Sequence, residues 1–188
     1  EYPDSALYFA NRAELMLQRN DPQSLLPYLY KSKGRIYNLK LVTERSLFYY
    51  SKAYDEFIKL ENSNEIGDCA LKMGNLYYEV SNFSEAYFFF MQSLNAYEQE
   101  DNNLGIANME NNLGNVSHDM GRLSYAEKHY QNAYDIYREN DLATEACGAL
   151  GNIGLILYDK QLYDSALVFF NEVINQLNPD SLSSPIQH

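Results

Sequence analysis

Glycine recurs at Gly34, Gly74, Gly114 and Gly154, forty residues apart each time. Twelve residues beyond each stand Ser46, Ala86, Ala126 and Ala166, all small. Four further come Tyr50, Phe90, Tyr130 and Phe170, all aromatic, and three beyond those Ala53, Ser93, Ala133 and Val173. Self-similarity at a fixed period of this length marks a repeat protein, in which a unit cannot bury its apolar face alone and neighbours stack to complete it. Stepping back forty from Ser46 reaches Ala6, inside "DSALYFANRA". The expected organisation is one solenoid domain over residues 1–178, made of a half repeat 1–20 and full repeats 21–60, 61–100, 101–140 and 141–178. Residues 179–188, "PDSLSSPIQH", lose the periodicity and read as a tail or linker.

Each unit reads as two helices. In the third, Ile106, Met109, Leu113, Val116 and Met120 recur at helical spacing and form one apolar stripe. Gly121 then suits a helix end, and a second helix follows with Ala126, Tyr130, Ala133, Tyr134 and Tyr137 on its packing side. Asp21, Glu61, Asp101 and Asp141 fall between units, where an acid is expected to cap the amides of the next helix. A glycine inside a helix costs about 1 kcal/mol relative to alanine. Its regular return therefore implies close approach of a neighbouring helix, with glycine or alanine as the hole and an aromatic ring as the knob. The expected fold class is all-α, an α-solenoid of antiparallel helix pairs with nine helices.

The charge excludes several functions. At −12 the chain is a poor partner for nucleic acid or for an anionic membrane. No apolar run reaches the length of a membrane helix. There is no glycine-rich phosphate loop, no H-E-x-x-H and no paired cysteines, so no enzyme, metal or cofactor is expected. Cys69 and Cys147 read as two small buried residues, or as one disulfide. The chain begins at Glu1 rather than methionine, as an excised or processed piece would. The compartment expected is the cytoplasm ahead of the periplasm.

The fragments "LKMGNLYYEVSNFSEAYFFFMQSLNAY", "NNLGNVSHDMGRLSYAEKHYQNAYDIY" and "GNIGLILYDKQLYDSALVFFNEVINQL" share this pattern, and "SKGRIYNLKLVTERSLFYYSKAYDEF" is a weaker copy with Lys33 before its glycine. Together they resemble the tetratricopeptide repeat in a long form. That form is similar to the repeats of the spindle-orientation adaptor, of kinesin light chains and of bacterial peptide-sensing regulators of the Rap type. HEAT and armadillo repeats share the period but not the order glycine, small, aromatic, small. The short form of the family repeats every 34 residues, so these helices should be longer by about a turn. The usual tryptophan is absent, and the closing proline appears only at Pro179.

The resemblance implies a right-handed superhelix whose first helices line a concave groove for a peptide or protein segment. On that face Asn108, Asn111, Asn112 and Asn115 form one stripe, continued by His118 and Asp119. Asn75 and Asn152 occupy the matching positions in the neighbouring units. The family's pairing of asparagines across units implies that Asn75 with Asn112, and Asn115 with Asn152, grip a ligand backbone through amide donor and acceptor together. Tyr78 and Tyr158 would contact ligand side chains. Towards the N-terminus Lys31, Arg35 and Lys72 would hold an acidic side chain or a C-terminal carboxylate. The family's carboxylate clamp is incomplete, because Asn108 and Asn152 stand where further cations belong. His118 and Asp119 are adjacent on a helix and point apart, which argues against an acid–base pair. The competing expectation is that these asparagines only solvate the face or bond neighbouring helices. The rival function is self-association into a homo-oligomer, end to end or through Tyr49, Tyr54, Tyr130, Tyr134 and Tyr137.

Overall fold

The computed structural model describes residues 2–20 and 23–177. Asp21, Pro179 and the 179–188 tail lie outside them. The described residues form nine α-helices and no strand, an α-solenoid of helix pairs. The chain divides into two compact units, Glu1–Asp101 and Asn102–His188.

The first unit holds α1 (Tyr2–Asn20), a 3-10 turn (Gln23–Leu25), α2 (Leu26–Leu39), α3 (Thr43–Lys59), α4 (Ser63–Glu79) and α5 (Phe83–Gln99). The second holds α6 (Asn103–Asp119), α7 (Leu123–Glu139), α8 (Ala143–Asp159) and α9 (Tyr163–Leu177). From α3 to α8 every helix is 17 residues long. Three-residue turns between them complete a period of twenty, half the repeat.

The glycines do what their spacing implies. A Cβ at Gly34 would come 2.9 Å from the Tyr50 ring, and one at Gly74 2.6 Å from Phe90. In the second unit a Cβ at Gly114 would meet Tyr130 at 2.6 Å and one at Gly154 would meet Phe170 at 2.6 Å. Each pair joins the two helices of one repeat, and no side chain larger than hydrogen fits beneath the ring. The small residues Ser46, Ala86, Ala126 and Ala166 are all buried beside these contacts. Ser46 also donates its hydroxyl to the Gly34 carbonyl at 2.9 Å. In the first unit Tyr30, Tyr50, Ala53 and Phe57 pack with Cys69, Met73 and Leu76 of α4. In the second, Ala107, Ala133 and Tyr137 pack with Ala146 and Ala149 of α8. Both cysteines are free and buried.

The turns differ from the expectation. Glu61, Asp101 and Asp141 do not cap the following helix. They carry φ of 53°, 51° and 58°, the left-handed conformation that ends the preceding one. Leu41, Ser81, Gly121 and Gln161 do the same at the intervening turns. The Val42 amide donates to the Tyr37 carbonyl and the Leu41 amide to Asn38, the two bonds of a Schellman ending. Capping falls one residue later, where asparagine side chains accept: Asn62 from the Glu65 amide, Asn82 from Glu85 and Asn102 from Gly105. Asparagine is among the strongest caps.

Lys33 is the second departure. It occupies the register position held by Met73, Leu113 and Ile153 elsewhere. It is 1% exposed, its ammonium bonded to Glu14 of α1 and 5.1 Å above the Tyr49 ring. One buried ion pair thus fastens the half repeat to the first full one.

These contacts fix the sign of two substitutions. Gly114→Ala should destabilise by about 1 kcal/mol, because overpacking against Tyr130 exceeds the gain in helix propensity. Leu41→Gly should stabilise by up to about 1 kcal/mol by relieving a left-handed leucine. Urea unfolding of both variants checks the pair of signs.

Candidate functional site

In the first unit, α2 and α4 bring Lys31, Arg35 and Lys72 to one cavity of about 440 Å³, with Tyr28, Ser32, Tyr50 and Asp68. The three cations predicted to share a face do so. They share it with acids. Lys31 sits 2.5 Å from Glu65 and 2.7 Å from Asp68, one turn apart on α4. Burial pulls its pKa down, but the hydrogen bonds and charges of Asp68 and Glu65 outweigh it and hold the ammonium above the usual lysine range. Lys31 is therefore paired within the fold. Lys72 lies 3.8 Å from Asp68, too far for a hydrogen bond, and Arg35 is exposed with no ionic partner among the described residues. Asn75 is half-buried and makes no side-chain hydrogen bond there. Tyr78 packs on Phe83 at 5.7 Å.

In the second unit, the asparagine stripe is tied to its neighbours. Asn108 accepts from the Tyr137 hydroxyl at 2.7 Å, and Asn115 from Tyr130 at 2.8 Å. Asn111 accepts from the Asn152 amide at 3.3 Å. Asn112 is half-buried and has no side-chain bond among the described residues. The acceptor oxygens of Asn108, Asn111 and Asn115 are thus committed, while their amide N–H groups are not. Tyrosines hold Asn108 and Asn115, and Asn152 holds Asn111, each through its oxygen. Asn75 belongs to the first unit and Asn112 to the second.

His118 bonds through Nε2 to Asp159 of α8 at 2.6 Å. The acid it meets is across the helix pair rather than its neighbour Asp119. Tyr158 is exposed and packs edge-on against Tyr163 at 5.3 Å. The tyrosines named for self-association are largely spent on the core: Tyr130 and Tyr137 are buried, and Tyr49, Tyr54 and Tyr134 are partly so. No helix among the described residues is long and apolar enough to cross a membrane.

Sequence reasoning missed a second polar cluster. Glu110 meets His129 Nδ1 at 2.6 Å and accepts from Asn132 at 3.1 Å. The signal was present. Forty residues either side of Glu110 stand Ala70 and Leu150, both buried, so a carboxylate at that register needs a partner.

The sequence profile of the soluble NSF attachment protein, SNAP, matches residues 13–185. The chain belongs to the SNAP family. Solved structures similar to this SNAP-family chain carry the same architecture. RapI in its apo form is 18% identical with a TM-score of 0.86, over 95% of this chain and 50% of that one. A kinesin light chain with TPR-like repeats from Podosopora anserina is 8% identical with a TM-score of 0.78, over 94% and 88%. The Rap conjugation gene regulator of plasmid pLS20, in complex with the Phr* peptide, is 21% identical with a TM-score of 0.64, over 79% and 42%. The SNAP-family chain thus spans about half the length of the Rap structures. At these identities the likeness is one of fold, a TPR-like helical repeat. No curated protein sequence matches it significantly.

The tyrosines that hold the donor face give an alkaline signature. Burial, with the Glu145 charge added, pushes the Tyr137 phenol up to about 12, and burial does the same for Tyr50. The unfolded phenol ionises near 10. The neutral form is favoured by the fold, so the contribution is complete below about pH 10 and is lost as pH rises towards 12. Absorbance at the phenolate band should show a late-titrating class that shrinks in Tyr137→Phe. That variant should also lose about 1 kcal/mol in urea unfolding, through its bond to Asn108.

Proposed function

We propose that this chain is a non-catalytic binding module that holds a peptide or protein segment on the face that α6 and α8 form in its second unit. The observation that carries this reading is the set of unspent amide donors at Asn108, Asn111 and Asn115 beside the unpartnered Asn112. Amides whose oxygens are engaged within the fold, by tyrosine hydroxyls at Asn108 and Asn115 and by Asn152 at Asn111, present their N–H groups in fixed directions. Such donors suit the carbonyl oxygens of an extended backbone and add little ordering cost on binding. Asn152 and Tyr158 of α8 border them, and in the first unit Asn75 and Tyr78 occupy the equivalent places. Within the first unit, Arg35 and Lys72 suit an acidic group, with the half-buried Lys31 already paired to Glu65 and Asp68.

Two likenesses support the reading without carrying it. The SNAP family is named for attachment of another protein. A Rap regulator of similar fold is described with a bound peptide. On this reading the chain is the sensory or scaffolding repeat part of a larger bacterial regulator and contacts neither nucleic acid nor membrane.

Self-association is the second reading. A different surface favours it from the one first expected. On α9 Leu167, Val168, Ile174 and Leu177 are each more than half exposed. Sedimentation that shows concentration-dependent dimers, abolished by Val168→Lys, would favour it.

Display of random peptides against the parent chain tests the main reading. A shared motif should be enriched by the parent and lost in Asn112→Ala, with unfolding midpoints equal within error, because the Asn112 side chain has no bond among the described residues. Enrichment unchanged in that variant, or absent from the parent, would remove the role of the asparagine face.

A further inference from the structure

The last helix pair of the second unit repeats a face that the pair before it has covered. Forty residues before Cys147, Val173 and Leu177 stand Ala107, Ala133 and Tyr137, on which α8 seats Ala146 and Ala149. Tyr137 is 4% exposed, whereas Leu177 is 59% exposed. Among the described residues no helix covers α9 as α8 covers α7. What remains is a groove of about 460 Å³, walled by Gly148, Gly151 and Leu155 of α8 and by Phe170, Val173 and Leu177 of α9.

The chemistry of this groove differs from that of the face it repeats. In the covered pair Asn115 accepts from Tyr130 and Asn108 from Tyr137. Forty residues on, both members of each bond change together, to Leu155 with Phe170 and to Gly148 with Leu177. Asn111, which accepts from Asn152 of α8, becomes Gly151. Polar groups are thus removed in pairs, and the wall turns apolar. A Cβ at Gly148 or Gly151 would meet nothing within 4 Å. Glycine inside a helix lowers its stability, and no ring of the fold lies over these two as rings lie over Gly114 and Gly154.

We propose that this groove is the docking site for an amphipathic α-helix of a partner protein. The site is separate from the asparagine face, and it goes beyond the reading above by adding a folded helix as a second class of ligand. The seating of α8 on α6 and α7 supplies the fit. The inner face of the docked helix is apolar and uncharged, and a large side chain enters over Gly151, where α8 puts Asn152 over Asn111. Its outer face is basic, because residues 143–177 carry Glu145, Asp159, Asp164 and Glu172 against Lys160 alone. Residues 178–188, "NPDSLSSPIQH", have two prolines and neither lysine nor arginine, so they are not that helix.

The probe is a peptide of the α8 sequence, residues 143–159, because α8 fits the equivalent face. It carries Asn152→Leu to fill the glycine hole, Cys147→Ala, and lysine in place of the exposed Thr144, Gly148 and Leu155. Binding to the whole chain is read by fluorescence anisotropy, and helix formation by circular dichroism. The probe should bind with a Kd on the order of 10 µM and gain helix as it does. The peptide that keeps Asn152 should bind about three- to tenfold more weakly. One with glutamate for the three lysines should lose about tenfold at low salt. In the chain, Gly151→Ala should weaken the probe about threefold, because the added Cβ fills the hole. The same variant should melt about 2–4 °C higher, because that Cβ meets nothing in the fold. Val173→Lys should abolish binding, and Asn112→Ala should leave it unchanged. No binding, binding without gain of helix, equal affinity of the lysine and glutamate peptides, or full affinity in Gly151→Ala or Val173→Lys would each overturn the proposal. Dimers of the chain that Val173→Lys dissociates would also overturn it, since a second copy would then fill the groove. A loss in Asn112→Ala equal to that in Val173→Lys would put the probe on the asparagine face and sink this site alone. Helix binding without any enriched extended peptide would keep this site and sink the asparagine reading.

Discussion

An aromatic ring laid directly on the backbone of a glycine is the contact on which the other features depend. In every full repeat the ring comes from sixteen residues further along the chain, and the glycine leaves it less than 3 Å from where a Cβ would stand. Such a contact sets the separation of the two helices without adjustable side chains between them. It also sets their register, since a slip of one residue would drive the ring into a neighbouring side chain. Interiors pack as densely as organic crystals, so this one fixed separation decides which residues beside it must be small. Ser46, Ala86, Ala126 and Ala166 follow from it, as do the fully buried Ala53, Ser93 and Ala133.

The turns obey a finer period than the packing. Every described turn from Leu41 to Gln161 places a left-handed residue at twenty-residue spacing, and only at Gly121 is that residue glycine. Six non-glycine residues in this conformation each cost about 1–2 kcal/mol. The cost is tolerated because the ending satisfies carbonyls that a buried helix terminus would otherwise leave unpaired, and because two packed helices fix the loop between them. Helix length, turn length and repeat length are therefore one constraint, seventeen residues and three, taken twice.

The repeat itself was legible because glycine, small and aromatic residues recur in register, and each is a consequence of close packing. The nine helices, their packing faces and the role of Gly121 followed from it. The recurring acids Glu61, Asp101 and Asp141 suggest a cap by their charge, whereas at Asn62 and Asn102 the asparagine one residue later does the capping. The site was half legible. That Lys31, Arg35 and Lys72 meet could be read from the forty-residue step, and so could the stripe of asparagines. That Lys31 is held by Glu65 and Asp68, and that Asn108 and Asn115 serve tyrosines, could not. Those facts depend on which side chain of a neighbouring helix reaches across, and a spacing rule along one helix carries no information about it. Lys33 and Glu110 show the remedy. Each puts a charge where its counterparts are apolar, and each proved to have a partner.

A repeat protein supplies its own controls. Positions 50, 90, 130 and 170 share one backbone environment, so a difference among them isolates chemistry from packing. Two carry a hydroxyl and two do not, and the rings seat equally well against their glycines. The hydroxyl is therefore not there to fill space. At Tyr130 its acceptor is Asn115, within the chain. At Tyr50 the corresponding residue is an arginine, and an arginine beside a phenol adds a second donor where the first needed an acceptor. The same logic separates the two units' inner faces. In the second unit the tyrosines complete their bonds within the fold and leave amide donors in place for a backbone. In the first unit Arg35 stands in the place of that asparagine and offers no acceptor.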